Sequence, residues 1–421
     1  MGPLLVALAA ALILASCMTP RRGYIGDTGV WERRIAAGKL PVDSLLRSTS
    51  TLRAEWVAEA RLWGAHFPAG TAGVFTPRAI NGIFANLQRQ IHGDSLLQAA
   101  VRVEKDPRAV ASLLESAGHY DRLYRPNPRL RRMINRGNQA YGIPRGILDK
   151  THRYLLSPRV RKPVAASLPA DLPGQASYSE LFHYTFWRRG DRANEAGYDL
   201  VNWFSALFGN SVGTLNPEIR RPREQQLLKT YLQPLDIILV KSPTHITDKF
   251  IPGFFGHAAI YTGNPEELRA MGVWELPEVA RHQARITAGG AFAEALRSGV
   301  RLSTPVEFAD GDYFLVLRIT GLTEAEKQVA LARTFRYLHQ KYDFNFDIQS
   351  PDRLYCTELI FLAFEMIRWK SHHLWDRETI SPDEIVETAL DGQRLLPVVL
   401  IGPQSEEISP SQERIRGLLE E

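Results

Sequence analysis

The sequence predicts an α+β protein: a mostly helical N-terminal region, then a domain in which helices pack on a small antiparallel β-sheet. Three observations carry this expectation. From about residue 30 to 230 apolar residues recur at helical spacing, punctuated at Pro68, Pro77, Pro107, Pro126, Pro144, Pro173 and Pro217. After about residue 232 the texture changes to short apolar runs between turns, as in Leu235-Asp236-Ile237-Ile238-Leu239-Val240. Among those runs lie two helix starts, the capping box Thr323-Glu324-Ala325-Glu326 and Ser381-Pro382-Asp383-Glu384, with Ser as cap and Pro at the first turn.

The first element is Leu4 to Ala15, apolar but too short to span a bilayer, which reads as the core of a signal peptide over residues 1–16. Ala15 and Ser16 ahead of Cys17 resemble the bacterial lipobox, which implies cleavage before Cys17 and lipidation of its sulfur. Several acyl chains would make a stable membrane anchor. No Lys or Arg stands between Met1 and Leu4, a departure from the usual basic start of such peptides. Met18 at the next position implies sorting to the outer membrane, facing the periplasm, with residues 17–29 as a tether. The alternative is an ordinary signal peptide and a Cys17–Cys356 disulfide, which an oxidising compartment permits.

Residues 30–231 form the helical region. The clearest helices are expected over Pro77–Leu97, Asp106–Ser116 and the aromatic-rich Tyr178–Phe208, with Pro158–Gln175 linking two helical parts. The 421 residues, 44% hydrophobic and 23% charged, fit a globular chain of two or three domains. Net charge is only +5, yet from Arg122 to Lys162 twelve basic residues face Asp149 alone. Such a local field suits an anionic envelope polymer or lipid headgroups, or else a solvated surface. Nothing resembling an RNA-binding signature or zinc-finger spacing accompanies it, so a nucleic-acid partner is not expected.

Residues 232–402 make the second domain. Strands are expected at 235–240, 257–262 and 313–319, a hairpin at 291–295 with 300–302, and a last strand at 395–401. The helix from Thr323 to about His339 should turn Val329, Ala332, Phe335 and Leu338 to the core. Residues 403–421 read as a polar tail.

Cys356 opens the apolar run Cys356-Thr357-Glu358-Leu359-Ile360-Phe361-Leu362, a helix with a thiol at its N-terminus, where backbone amides favour a thiolate. Pro351 to Tyr355 should form the turn before it. His257, in Gly256-His257-Ala258-Ala259-Ile260-Tyr261, would sit on a strand with Ala259 and Tyr261 on its own side, placed as a general base. Glu294, the charged residue of Ala291-Phe292-Ala293-Glu294-Ala295, needs a partner if buried and could orient the imidazole.

These motifs, with Tyr342-Asp343-Phe344 and Tyr355-Cys356-Thr357-Glu358-Leu359, resemble the permuted papain-like amidases, the YaeF/YiiX-like members of the NlpC-type cysteine hydrolases, over about residues 232–400. The histidine strand precedes the cysteine helix, the reverse of the papain order. The resemblance implies a circularly permuted papain-like fold, Cys356 as nucleophile, His257 as general base and Glu294 as the orienting acid, with no cofactor and no metal. It departs at Pro234-Leu235-Asp236, where the family more often has Gly before Asp. The expected activity is cleavage of an amide such as a peptidoglycan peptide. Alternatives are a lipid ester hydrolase or acyltransferase of the same fold, and a noncatalytic envelope binding lipoprotein.

Gly209-Asn210-Ser211-Val212-Gly213 fits the G-x-S-x-G pattern but lacks the strand before and helix after that a serine nucleophile needs. His372 and His373 are adjacent and should diverge rather than share a metal.

Overall fold

The computed structural model describes residues 28–67, 75–124, 126–157, 160, 222–242, 253–349, 351–374, 377–392 and 394–420. Cys17, the aromatic helix of 178–208 and the 209–213 motif lie outside them. The chain divides into two compact units, Met1–Gly73 with Gly82–Glu195, and Val74–Asn81 with Ala196–Glu421.

Among its described residues the first unit is helical, with helices Gly29–Ala36, Val42–Gly64, Pro77–Val103, Pro107–Tyr124, Pro128–Arg136 and Ile147–Leu156, the third entering from Gly82. Pro77–Val103 and Pro107–Tyr124 outrun the predicted bounds because the buried stripes continue, through Ala99 and Ala100 in one and Ala117, Tyr120 and Tyr124 in the other. Phe84 stacks on Tyr141 at 5.9 Å between ring centroids. Buried Asp94 accepts from Ser116 Oγ at 3.0 Å and Tyr120 Oη at 2.8 Å, so the helix pair is tied by a satisfied polar cluster.

The second unit is built on a seven-stranded antiparallel sheet, which makes the architecture α+β. Its strands are β1 (Ile237–Lys241), β2 (His257–Tyr261), β3 (Phe292–Leu296), β4 (Gly299–Ser303) and β5 (Tyr313–Ile319), with β10 (Leu395–Ile401) and β11 (Glu406–Ile408). Their order is β11-β10-β5-β1-β2-β3-β4. Two short pairs lie apart: β6 (Lys341–Tyr342) runs parallel to β7 (Arg353–Leu354), and β8 (His372–Leu374) pairs with β9 (Arg377–Thr379).

β1 is central, and Ile237 to Val240 are all buried, which explains its unbroken apolar run. One core cluster joins Ile238, Val240, Ala259, Phe292, Phe314, Val316, Val399 and Ile401 of the sheet to Leu228 of helix Pro222–Tyr231 and to Phe308. Phe292 and Phe308 stack at 4.4 Å. Each such side chain contributes about 1.5–3 kcal/mol by leaving water.

Three sequence expectations change. At helix Glu324–Arg336, Val329 is 44% exposed and Ala332 half-buried, whereas Phe335 and Leu338 are buried as expected, and Ala330, Leu331 and Thr334 join them. The stripe is shifted and broadened because the helix packs on two sides, against helices Pro277–Ala280 and Cys356–Ala363. Residues beyond Gly402 carry β11 and helix Gln412–Leu419, whose Ile415 and Leu418 are buried. Of the turn expected before Cys356, Arg353–Leu354 is strand β7.

The departure at Leu235 also gains a meaning. Its φ is +77°, a left-handed conformation that Gly adopts freely and Leu does not. Next to it Asp236, 1% exposed, takes Arg318 Nε on Oδ1 at 2.8 Å and Nη2 on Oδ2 at 2.6 Å, and Oδ2 also accepts from Gln233 N. This bidentate pair locks the entry to β1 onto β5. Replacing Arg318 by Met leaves the carboxylate buried and unpaired, so urea unfolding should show a loss of about 3–5 kcal/mol, part of it recovered in Asp236→Asn/Arg318→Met.

Candidate active site

The site is assembled from the edge of the sheet and one short helix. β3 and β4 form a hairpin in which Glu294 faces Arg301 and Phe292 faces Ser303. Its two-residue turn, Arg297-Ser298, leads into Gly299, with φ +110°, where a Cβ would lie only 2.6 Å from Gln340 O, so a larger residue would collide with backbone. β2 pairs with β3 through Ala259↔Glu294, which makes His257, two residues earlier, a diagonal neighbour of Glu294 on the same side. The pleat alone thus brings the imidazole to the carboxylate.

His257 Nε2 and Glu294 Oε2 are 2.8 Å apart, and the residues are only 7% and 3% exposed. Glu294 is held in turn. Its Oε1 accepts from Ser303 Oγ and lies 3.9 Å from Arg301 Nε. Cys356 is the first residue of helix Cys356–Ala363, buried along its whole length and packed against β2 and β3. No side chain caps that helix, since the N-cap residue is Tyr355. The thiol is free and 2% exposed, and it hydrogen-bonds His257.

The electrostatics follow from this placement. Burial acts against the imidazolium, but the hydrogen bonds it donates to Cys356 and Glu294, and the negative charges these two can carry, outweigh it and raise the His257 pKa well above 6.5. The three sequence-predicted residues Cys356, His257 and Glu294 are therefore brought together.

Sequence reasoning missed Ser303 and Tyr342. Ser303 is invisible as a ligand to Glu294 until the hairpin register is known. Tyr342, in the Tyr342-Asp343-Phe344 motif, is 5% exposed, and its phenol is pushed well above its usual pKa by burial first, then by charge on Cys356 and Asp343. The hydroxyl therefore stays protonated. Glu358, two residues into the cysteine helix, is fully buried, and burial with the charges of Asp343, Asp347 and Asp352 pushes its carboxyl well up.

Other sequence candidates lie elsewhere. His372 and His373 diverge, Nδ1 of the first lying 2.8 Å from Glu384 and of the second 3.0 Å from Glu378. Among the described residues no group of three or more His, Cys, Asp or Glu side chains is placed to hold a metal ion, and no helix is long and apolar enough to cross a membrane. Of the basic segment, Arg122, Arg145 and Arg153 are exposed, Arg129, Arg132 and Arg136 half-buried and Arg131 buried.

Because the folded-state pKa of His257 is raised, its cation stabilises the fold below pH 6.5, and that contribution is lost as pH rises through the folded value. Glu294→Gln removes one of the two anions. An NMR titration should find the imidazole of this variant losing its proton at lower pH than in the wild type.

Residues 231–408 match the family model described as permuted papain-like amidase enzyme, YaeF/YiiX, C92 family. The crystal structure of metalloprotein yiiX from Escherichia coli O157:H7, DUF1105, is similar at 18% identity over 41% of this chain and 99% of that one, with a TM-score of 0.31. No curated protein matches. With the histidine strand ahead of the cysteine helix and the family model spanning both, residues 231–408 belong to the permuted papain-like amidases, a family of cysteine peptidase-like hydrolases.

Proposed function

We propose that the protein is an envelope-anchored cysteine amidase in which Cys356, His257 and Glu294 act as nucleophile, general acid–base and orienting acid. The observation that carries this reading is the buried chain of contacts from thiol to imidazole to carboxylate. The Cys356 thiolate attacks the amide carbonyl, forming the C–S bond, and His257 gives its proton to the departing amine as the C–N bond breaks. A water then adds to the thioester with His257 as base. The acid leaves and the thiol is restored.

First-turn amides of the cysteine helix are donors to the oxyanion, and the Tyr342 hydroxyl, kept protonated by burial, is proposed as a second. Glu294 orients the imidazole through its contact with Nε2, and Ser303 keeps the carboxyl from turning away. The substrate class is a peptide amide of the cell wall, since an exported lipoprotein tethered at Cys17 would meet that polymer. Leu14-Ala15-Ser16-Cys17 supports the anchor.

The test is release of free amine from purified peptidoglycan peptides. Cys356→Ala should lower the rate by on the order of 10⁴-fold or more. Tyr342→Phe should lose about 10²–10³-fold in kcat if the phenol serves the oxyanion. Activity of Cys356→Ala equal to the wild type would sink the mechanism.

A further inference from the structure

Cys356 begins a helix and His257 begins a strand, and no local turn sets the distance between them. A hydrogen bond between thiol and imidazole tolerates displacements of only a few tenths of an ångström. Both elements are nevertheless gripped by one short segment, Thr379–Asp383. On the cysteine side, Thr357 Oγ1 donates to Ile380 O at 2.6 Å, and Ile380 N donates to Tyr355 Oη at 3.1 Å. These are the residues on either side of Cys356.

On the histidine side, Asp383 Oδ2 accepts from Phe254 N at 2.7 Å and Oδ1 from Phe255 N at 2.9 Å. Gly256 N then donates to Val240 O, and His257 follows. Between the two grips, the reciprocal Ser381/Glu384 capping box and Pro382 make the segment stiff. We infer that Thr379–Asp383 is a strap that sets the spacing of Cys356 and His257, with Asp383 as its positioning residue.

Two further observations separate this from an ordinary helix-start carboxylate. The Asp383 oxygens reach across to the backbone of another segment. The approach is so close that only glycine fits at residue 253: Gly253 has φ +133°, and a Cβ there would lie 2.3 Å from Asp383 Oδ2 and 2.8 Å from its Cγ. Phe254 is fixed from its other side, with Lys241 Nζ 3.5 Å from its ring centroid and Tyr313 edge-on at 5.4 Å. The loop before His257 is thus clamped rather than merely covered.

The inference rests on the thiol–imidazole reading above, and the pH dependence of Cys356 alkylation by iodoacetamide distinguishes the two. It is read by mass on the Cys356 peptide of the full chain. A paired thiol reacts well below pH 8.5, the range of a simple one. Asp383→Ala should lower the rate at pH 6 at least about tenfold, towards that of a simple thiol, while the rate at pH 10 is unchanged. Asp383→Asn, keeping one acceptor oxygen, should fall between, and Gly253→Ala should reproduce Asp383→Ala by displacing the carboxylate. Val399→Ala, which weakens the sheet core without removing a hydrogen bond of the strap, should keep the low-pH reactivity. Low-pH reactivity surviving in Asp383→Ala, or lost equally in Val399→Ala, overturns the strap alone. Its absence from the wild type overturns the thiol–imidazole pair and the strap with it.

Discussion

A charged imidazole survives inside a protein only where fixed partners replace the water it has lost. His257 has Glu294 2.8 Å from its Nε2 and Cys356 as a further partner, and much of the second unit serves that arrangement. The hairpin of β3 and β4 carries the carboxylate, its register brings in Ser303 and Arg301, and β2 supplies the histidine one diagonal away. The helix that presents the thiol is buried throughout and packs on the same two strands. Loss of the hydrogen bond between Glu294 and His257 would leave two buried ionisable groups unmatched.

Much of this was legible in the chain. The strands announced themselves by short apolar runs, helix Glu324–Arg336 by its capping box, and helix Pro382–Leu390 by a Ser cap with Pro at the first turn. Cys356 was conspicuous because a thiol at the entry to an apolar helix has an electrostatic use. Glu294 stood out because a lone acid in an apolar strand needs a partner. Each of these signals is local, decided within a few residues.

What stayed hidden depends on contacts distant in sequence. Ser303 becomes a partner of Glu294 only through hairpin register, and Asp383 is an acid at a helix start until Phe254 and Phe255 are seen to donate to it. Val329 was misplaced because one-sided periodicity cannot describe a helix packed between two others. β11 was missed because Glu406-Glu407-Ile408 has no apolar alternation, and pairing with β10 defines it instead. Leu235 shows the opposite case, in which a family departure visible in sequence found its cause only in a backbone angle.

Glu358 extends the electrostatics in another direction. A carboxyl whose folded-state pKa is raised favours folding at low pH, and its contribution is lost as pH climbs from the unfolded towards the folded value. His257 has the same sign over a higher range. Between pH 4.5 and the folded-state values of these groups, forming the site takes up protons from solution. Proton concentration therefore acts as a ligand of the folded unit, and alkaline conditions withdraw it from beneath the cysteine helix.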